Sequence, residues 1–123
     1  MQLLSVQLAT FLDDAAASRC NERVGLDARY LLQEIACASV LSVTEKQDGE
    51  MLYAVETFSR RSMSERAVIA SIDDAVSDAQ VVVSFGGRSF DLPVLAVRAM
   101  LHEVHVPRLL ALQSGSETSR HLD

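Results

Sequence analysis

No stretch of this chain approaches the roughly 20 consecutive apolar residues that cross a bilayer. Its N-terminus, Met1-Gln2-Leu3-Leu4, lacks the basic start and long apolar segment of a secretory signal. A soluble, cytoplasmic protein is the expectation. Cysteine is scarce: Cys20 and Cys37 are the only two, without CxxC spacing or an accompanying histidine pair. That excludes a disulfide framework and a cysteine-based zinc site, and leaves two reduced thiols. Basic residues are outnumbered, 11 Lys and Arg against 17 Asp and Glu, for a formal net charge of -6. Such a balance opposes tight non-specific binding to phosphate backbones, which needs clustered cations. It leaves room for an enzyme that holds its substrate through metal ions, because the carboxylates that bind metals make a site acidic.

What is present suits one domain. A chain of 123 residues that is 49% hydrophobic fills one core and is short for two. Residues 1–112 carry the periodic apolar pattern. Residues 113–123 have none and read as a flexible tail or a truncated continuation.

Four strands and two helices are predicted. Leu4, Val6 and Leu8 alternate in a strand over 3–10, and Asp13 through Leu32 suit a connection with short helical pieces around 15–20 or 28–32. Apolar runs over 35–43 and 51–58 flank the polar turn Glu45-Lys46-Gln47-Asp48-Gly49, the pattern of an antiparallel hairpin. Small residues at Ala36, Ala38 and Ser39 call for an element packed closely over the first of these strands. Ser62-Met63-Ser64-Glu65 has the spacing of a capping box opening a helix over 63–77. In that helix Val68, Ile69, Ile72 and Val76 face inward, and Arg66, Asp73, Asp74 and Asp78 face outward. Val81 to Phe85 reads as a short buried strand of the parallel kind. A helix over 91–104 follows, apolar on two sides, with Pro93 early in it and Pro107 at or just past its end.

The order is strand, long connection, strand, strand, helix, strand, helix. An antiparallel opening followed by a helical crossover to a buried strand begins a ribonuclease-H-like α/β fold, here a truncated form of that three-layer architecture with a mixed sheet. A ferredoxin-like or other small α/β sandwich stays open on pattern alone.

The most distinctive stretch is Ser84-Phe85-Gly86-Gly87-Arg88-Ser89-Phe90-Asp91-Leu92-Pro93-Val94-Leu95, followed by Arg98-Ala99. It resembles the second motif of the DEDD 3'-5' exonucleases, closest to predicted exonucleases related to the proofreading domain of family B DNA polymerases. In such enzymes four acidic residues hold two divalent metals that activate water and stabilise the leaving oxygen during phosphodiester hydrolysis. The resemblance makes Asp91 the catalytic, metal-binding match, and Mg²⁺ or Mn²⁺ the cofactor of an active enzyme. It makes the turn around Gly86, Gly87, Arg88 and Phe90 the candidate nucleic-acid contact.

The remaining motifs depart from that pattern. The first motif, Asp-x-Glu-Thr on the opening strand, aligns with Val6-Gln7-Leu8-Ala9-Thr10, so Gln7 and Ala9 stand at both ligand positions. Gly86 stands where the family has Asn. The third motif has no counterpart, and Arg120-His121-Leu122-Asp123 resembles a His-x-Asp-Leu step that precedes the final helices of relatives. Asp13, Asp14, Glu34 and Glu45 are too poorly placed to substitute. Asp91 then reads as a helix cap. His102 and His105, three apart, lack further metal ligands. Gly86-Gly87 lacks a phosphate-loop signature but presents backbone N–H groups. Arg60-Arg61 and Arg88 are the basic features that bear testing as nucleic-acid contacts.

Three functions follow as expectations. The first is an exonuclease-like, nucleic-acid-associated domain that has lost hydrolysis, needs no metal cofactor, and acts as a binding or scaffolding module. The second is an active Mg²⁺- or Mn²⁺-dependent 3'-5' exonuclease completed by a partner chain. The third is a structural subunit that forms homo-oligomers or assembles with another protein. Single-stranded nucleic acid is the substrate class of the first two.

Overall fold

Alternation in the opening segment sets the orientation of the whole sheet. In the computed structural model, which describes residues 2–15, 33–114 and 121–123, β1 spans Gln2–Leu12. It turns Leu4, Val6 and Leu8 onto the core. The predicted hairpin is present as β2 (Gln33–Glu45) and β3 (Met51–Ser59), in unbroken antiparallel register from Cys37↔Ser59 to Glu45↔Met51. At its turn Gly49 takes φ +84°, a conformation open to glycine. The Asp48 carboxylate accepts the Glu50 N–H there at 2.9 Å. The helical pieces expected around 15–20 and 28–32 fall almost wholly outside the described residues.

β1 pairs antiparallel with β2 and parallel with β4 (Val81–Val83). A fifth strand, β5 (His121–Leu122), lies parallel to β4, and the sheet order is β3-β2-β1-β4-β5. Two expectations are corrected here. β4 is shorter than 81–85, because Phe85 leaves the ladder and is fully exposed. Residues 121–123 join the sheet instead of a tail, the Ser84 N–H donating to the Leu122 carbonyl at 2.9 Å. A two-residue strand is too short to show a hydrophobic period, which is why the sequence pattern passes over it.

α1 spans Glu65–Ser77, starting two residues later than expected. Its cap is Ser64, whose Oγ accepts the Ala67 N–H at 3.1 Å. The proposed Ser62–Glu65 capping box does not form, because Glu65 is buried and committed elsewhere. Val68, Ile69, Ile72 and Val76 fill the core as their spacing predicts. Asp73, expected on the outer face, is instead buried and accepts the N–H groups of Arg108 and Leu109 at 3.1 and 3.0 Å. It thereby satisfies the start of α3 (Pro107–Ser114). Pro107 opens that helix; its missing N–H costs nothing in the first turn.

α2 covers Leu92–Leu101 and stops short of residue 104, with Glu103 at φ +54° in the turn that follows. Met100 and Leu101 point to solvent, so the expected burial on two sides holds only for the stripe of Leu92, Leu95 and Ala99 with Val94. All buried apolar strand side chains, Leu4, Ile35, Ala38, Val40 and Val82, share the face covered by the helices. The fully buried Ala38 is where helices pack closely over β2, as its small side chain suggests. On the other face none of the described strand residues is buried, and Tyr53 and Val55 are 69% and 68% exposed. The described residues thus supply two layers of the expected three.

Candidate functional site

The end of β4 is built to reverse the chain in very little space. Gly86 takes φ +69°, and a Cβ on Gly87 would stand 2.2 Å from the Ser84 Oγ, so the backbone here passes where no side chain fits. The chain then winds through a single π-helical turn, Gly87–Asp91, closed by the Leu92 N–H on the Gly87 carbonyl. The wider turn carries Asp91 to the mouth of a cleft of about 210 Å³ lined by Ser5, Val6, Gln7, Leu8, Phe85 and itself. Asp91 makes no capping hydrogen bond with its side chain, which corrects its reading as a helix cap.

Burial pushes the Asp91 carboxyl up to about 6, and the negative charge of Asp123 adds to the effect. Asp123 is the opposite case. Its Oδ1 accepts the Ser84 hydroxyl at 2.9 Å and the Gly87 N–H at 2.8 Å, and its Oδ2 accepts the Arg88 N–H at 3.2 Å. Those bonds hold it below the usual carboxylate range. The N–H groups of Gly87 and Arg88, expected to meet a phosphate, are therefore given to a carboxylate of the same chain.

Ser84, His121 and Asp123 meet but do not form a nucleophilic triad. The Ser84 hydroxyl has one proton and gives it to Asp123, so it accepts from His121 Nε2 at 2.7 Å. Arg88 Nε donates to His121 Nδ1 at 3.4 Å, which assigns the proton to Nε2. Burial first, then the Arg88 charge, holds the His121 ring below its ordinary pKa. It is a neutral donor with no base position directed at Ser84. The Arg88 guanidinium also donates to the His121 carbonyl at 3.1 Å. Phe90 is half-buried against the core.

Two of the other carboxylates considered as substitutes, Asp13 and Glu34, converge on a different centre. Arg98, buried, donates from Nε to Glu65 Oε1 at 2.9 Å, from Nη1 to Asp13 at 3.1 Å and from Nη2 to Glu34 at 3.4 Å. Glu65 also accepts the Ile35 N–H at 2.6 Å and pairs with His102. Burial works against its charge, but the bonds from Arg98, Ile35 and His102 outweigh it and hold the pKa below the ordinary value. His102 follows the last residue of α2, so the spacing to His105 is not helical. Among the described residues no group of three or more His, Cys, Asp or Glu is arranged for a metal ion. Glu45 sits at the hairpin end of β2, and Cys37 is a half-exposed free thiol.

Residues 28–122 match the family model described as "Predicted 3'-5' exonuclease related to the exonuclease domain of PolB". The chain belongs to that family. Among solved structures, this exonuclease-related domain resembles the family B DNA polymerase from the hyperthermophilic archaeon Pyrobaculum calidifontis, at 26% identity and a TM-score of 0.55. The alignment covers 88% of this chain and 12% of the polymerase chain, so the domain corresponds to a small part of that protein. No curated protein matches it. The fold is that of the polymerase's ribonuclease-H-like exonuclease domain.

Among the described residues, the side chains of this exonuclease-related cleft do not supply the donors that a pair of divalent ions needs. Mg²⁺ needs near-octahedral oxygen donors, with carboxylates to offset its charge. Here Asp91 shares the cleft with Gln7, whose side chain is a neutral amide, and the oxygens of Asp123 already accept protein donors. Ala9, at the second first-motif position, is exposed and offers no donor.

Two features escaped the sequence pattern. Asp123 had a weak signal in the His-x-Asp-Leu ending, whereas the Glu65–Arg98 pair had none, since residues 33 apart meet only through the packing of α1 on α2.

Proposed function

We propose that this domain is a non-hydrolytic member of its exonuclease family, which holds single-stranded nucleic acid or scaffolds a larger assembly without cutting phosphodiester bonds. One observation carries the reading: of the β1 residues that line the cleft with Asp91, the one at the first-motif carboxylate position is Gln7. An amide oxygen supports a cation far more weakly than a carboxylate does, so at the first-motif position the cleft offers a neutral group where two metals call for negative charge. Without them, water activation and leaving-group stabilisation have no agent in the described residues.

The test is incubation of the chain with 5'-labelled single-stranded DNA and RNA in Mg²⁺ and in Mn²⁺. No shortening is expected, and none should depend on Asp91. Metal-dependent loss of 3' nucleotides that disappears in Asp91→Asn would refute the proposal and favour the active-enzyme reading.

A further inference from the structure

Beyond the Asp91 cleft, a large concavity among the described residues lies at the same end of the sheet, where β1 and β3 terminate. Both strands run antiparallel to β2, so their C-terminal ends emerge at one end of the sheet, on either side of β2: Ala9 pairs with Cys37, and Cys37 pairs with Ser59. Past this point Phe11, Arg60 and Arg61 converge on a cleft of about 790 Å³ whose floor includes Cys37, Thr57 and Ser59. Phe11 is 44% exposed, an uncommon position for an aromatic ring on a small domain. The Arg60 guanidinium lies 5.8 Å from the ring centroid and is oriented by Glu34 at 3.4 Å. Arg61 is exposed, and among the described residues its guanidinium has no ion pair.

We infer that this cleft is a subsite for single-stranded nucleic acid, with one base stacked on Phe11 and a phosphate paired to Arg61. The inference rests on the nucleic-acid reading given above and names where the strand would be held. A flat ring, a guanidinium over one of its faces and an exposed cation next to both are the elements that bind a base and its phosphate without reading sequence. The chain as a whole is acidic, so attraction must be local, and Arg60-Arg61 is its only pair of adjacent cations. β1 connects the site to the Asp91 cleft. Phe85 and Gln7 line that cleft together, and Phe11 lies four residues beyond Gln7 along β1, about 13 Å of extended chain. A strand passing Phe85 and Asp91 could continue to Phe11.

Fluorescence anisotropy of a fluorescein-labelled single-stranded dT oligonucleotide at low salt tests this on the full chain. Phe11→Ala should weaken binding about tenfold, the scale of one lost stacking contact. Arg61→Ala should weaken it several-fold and lower the slope of log affinity against log salt by about 0.7, one phosphate contact. Lys46→Ala removes the same charge at the hairpin turn and should bind as the parent does. Equal losses in Lys46→Ala and Arg61→Ala would overturn the site in favour of diffuse charge. Parent-like binding by Phe11→Ala and Arg61→Ala would overturn the location while leaving nucleic-acid binding intact. No binding by the parent chain would overturn this inference and the nucleic-acid reading it rests on, leaving the scaffolding role. Should Phe11→Ala fail to fold by circular dichroism, the solvent-exposed Arg61→Ala decides alone.

Discussion

Arg98 on α2 and Glu65 at the start of α1 form a buried pair, each side chain no more than 5% exposed, joined through both Nε and Nη2. Removing one partner leaves the other's charge buried and uncompensated. Arg98→Met should therefore cost about 3–5 kcal/mol in urea denaturation at pH 7. Combining it with Glu65→Leu should cost much less than the sum of the two single changes. Additive losses would mean that the contact contributes nothing of its own.

The same pair gives stability an acid limb. Glu65 titrates below its ordinary value of 4.5 in the folded chain, so the unfolded state takes up its proton first as pH falls. Its contribution is complete above the unfolded pKa and is lost as pH drops through the folded one. Melting temperature should decline below about pH 4.5, and less steeply in the Arg98→Met, Glu65→Leu double variant.

Asp91 contributes with the opposite sign. Its carboxyl is raised from 3.8 to about 6, so the folded chain binds a proton more tightly than the unfolded chain. That stabilisation is present below 3.8 and is lost as pH rises to about 6. Asp91→Asn should raise stability at pH 7 by up to about 3 kcal/mol and change little at pH 3.5. A helix-capping role would give a loss at pH 7 instead.

Asp123→Ala removes the neighbouring charge and frees the N–H groups of Gly87 and Arg88. Carbon-detected NMR titration should then find Asp91 below about 6 but still above its ordinary value, because burial is the larger cause. An unchanged titration would separate the two carboxylates electrostatically.

Gly87→Ala should destabilise the fold by roughly 1–3 kcal/mol through overpacking, read by chemical denaturation. The new methyl would meet both Ser84 Oγ at 2.2 Å and Ser84 Cβ at 2.6 Å. Ser84→Gly in the same chain should recover part of the loss.

Much of this arrangement could be read from residue order. Alternation at Leu4, Val6 and Leu8 and the turn before Met51 specify β1 and the hairpin, because period and turn chemistry are local signals. The Gly86-to-Pro93 stretch carries the family likeness for the same reason. What pattern alone could not supply depended on distant partners. Asp73 looked like a surface residue until α3 presented its N–H groups, and Glu65 looked like a cap until Arg98 arrived from α2. Asp91 matched a motif, but its state depends on Gln7 and Asp123, respectively 84 residues before it and 32 after it.

β3 is the outer strand on its side of the sheet, nine residues long and free of proline and register breaks, with Glu56 its only charge. Its unpaired backbone groups are a template for strand addition, and little in its own sequence discourages that. The net charge of -6 opposes such pairing between copies of the chain. Colloidal behaviour should follow from this edge: the protein stays dispersed at neutral pH and low salt, and association grows as salt screens the charge or as pH approaches the isoelectric point near 4.9.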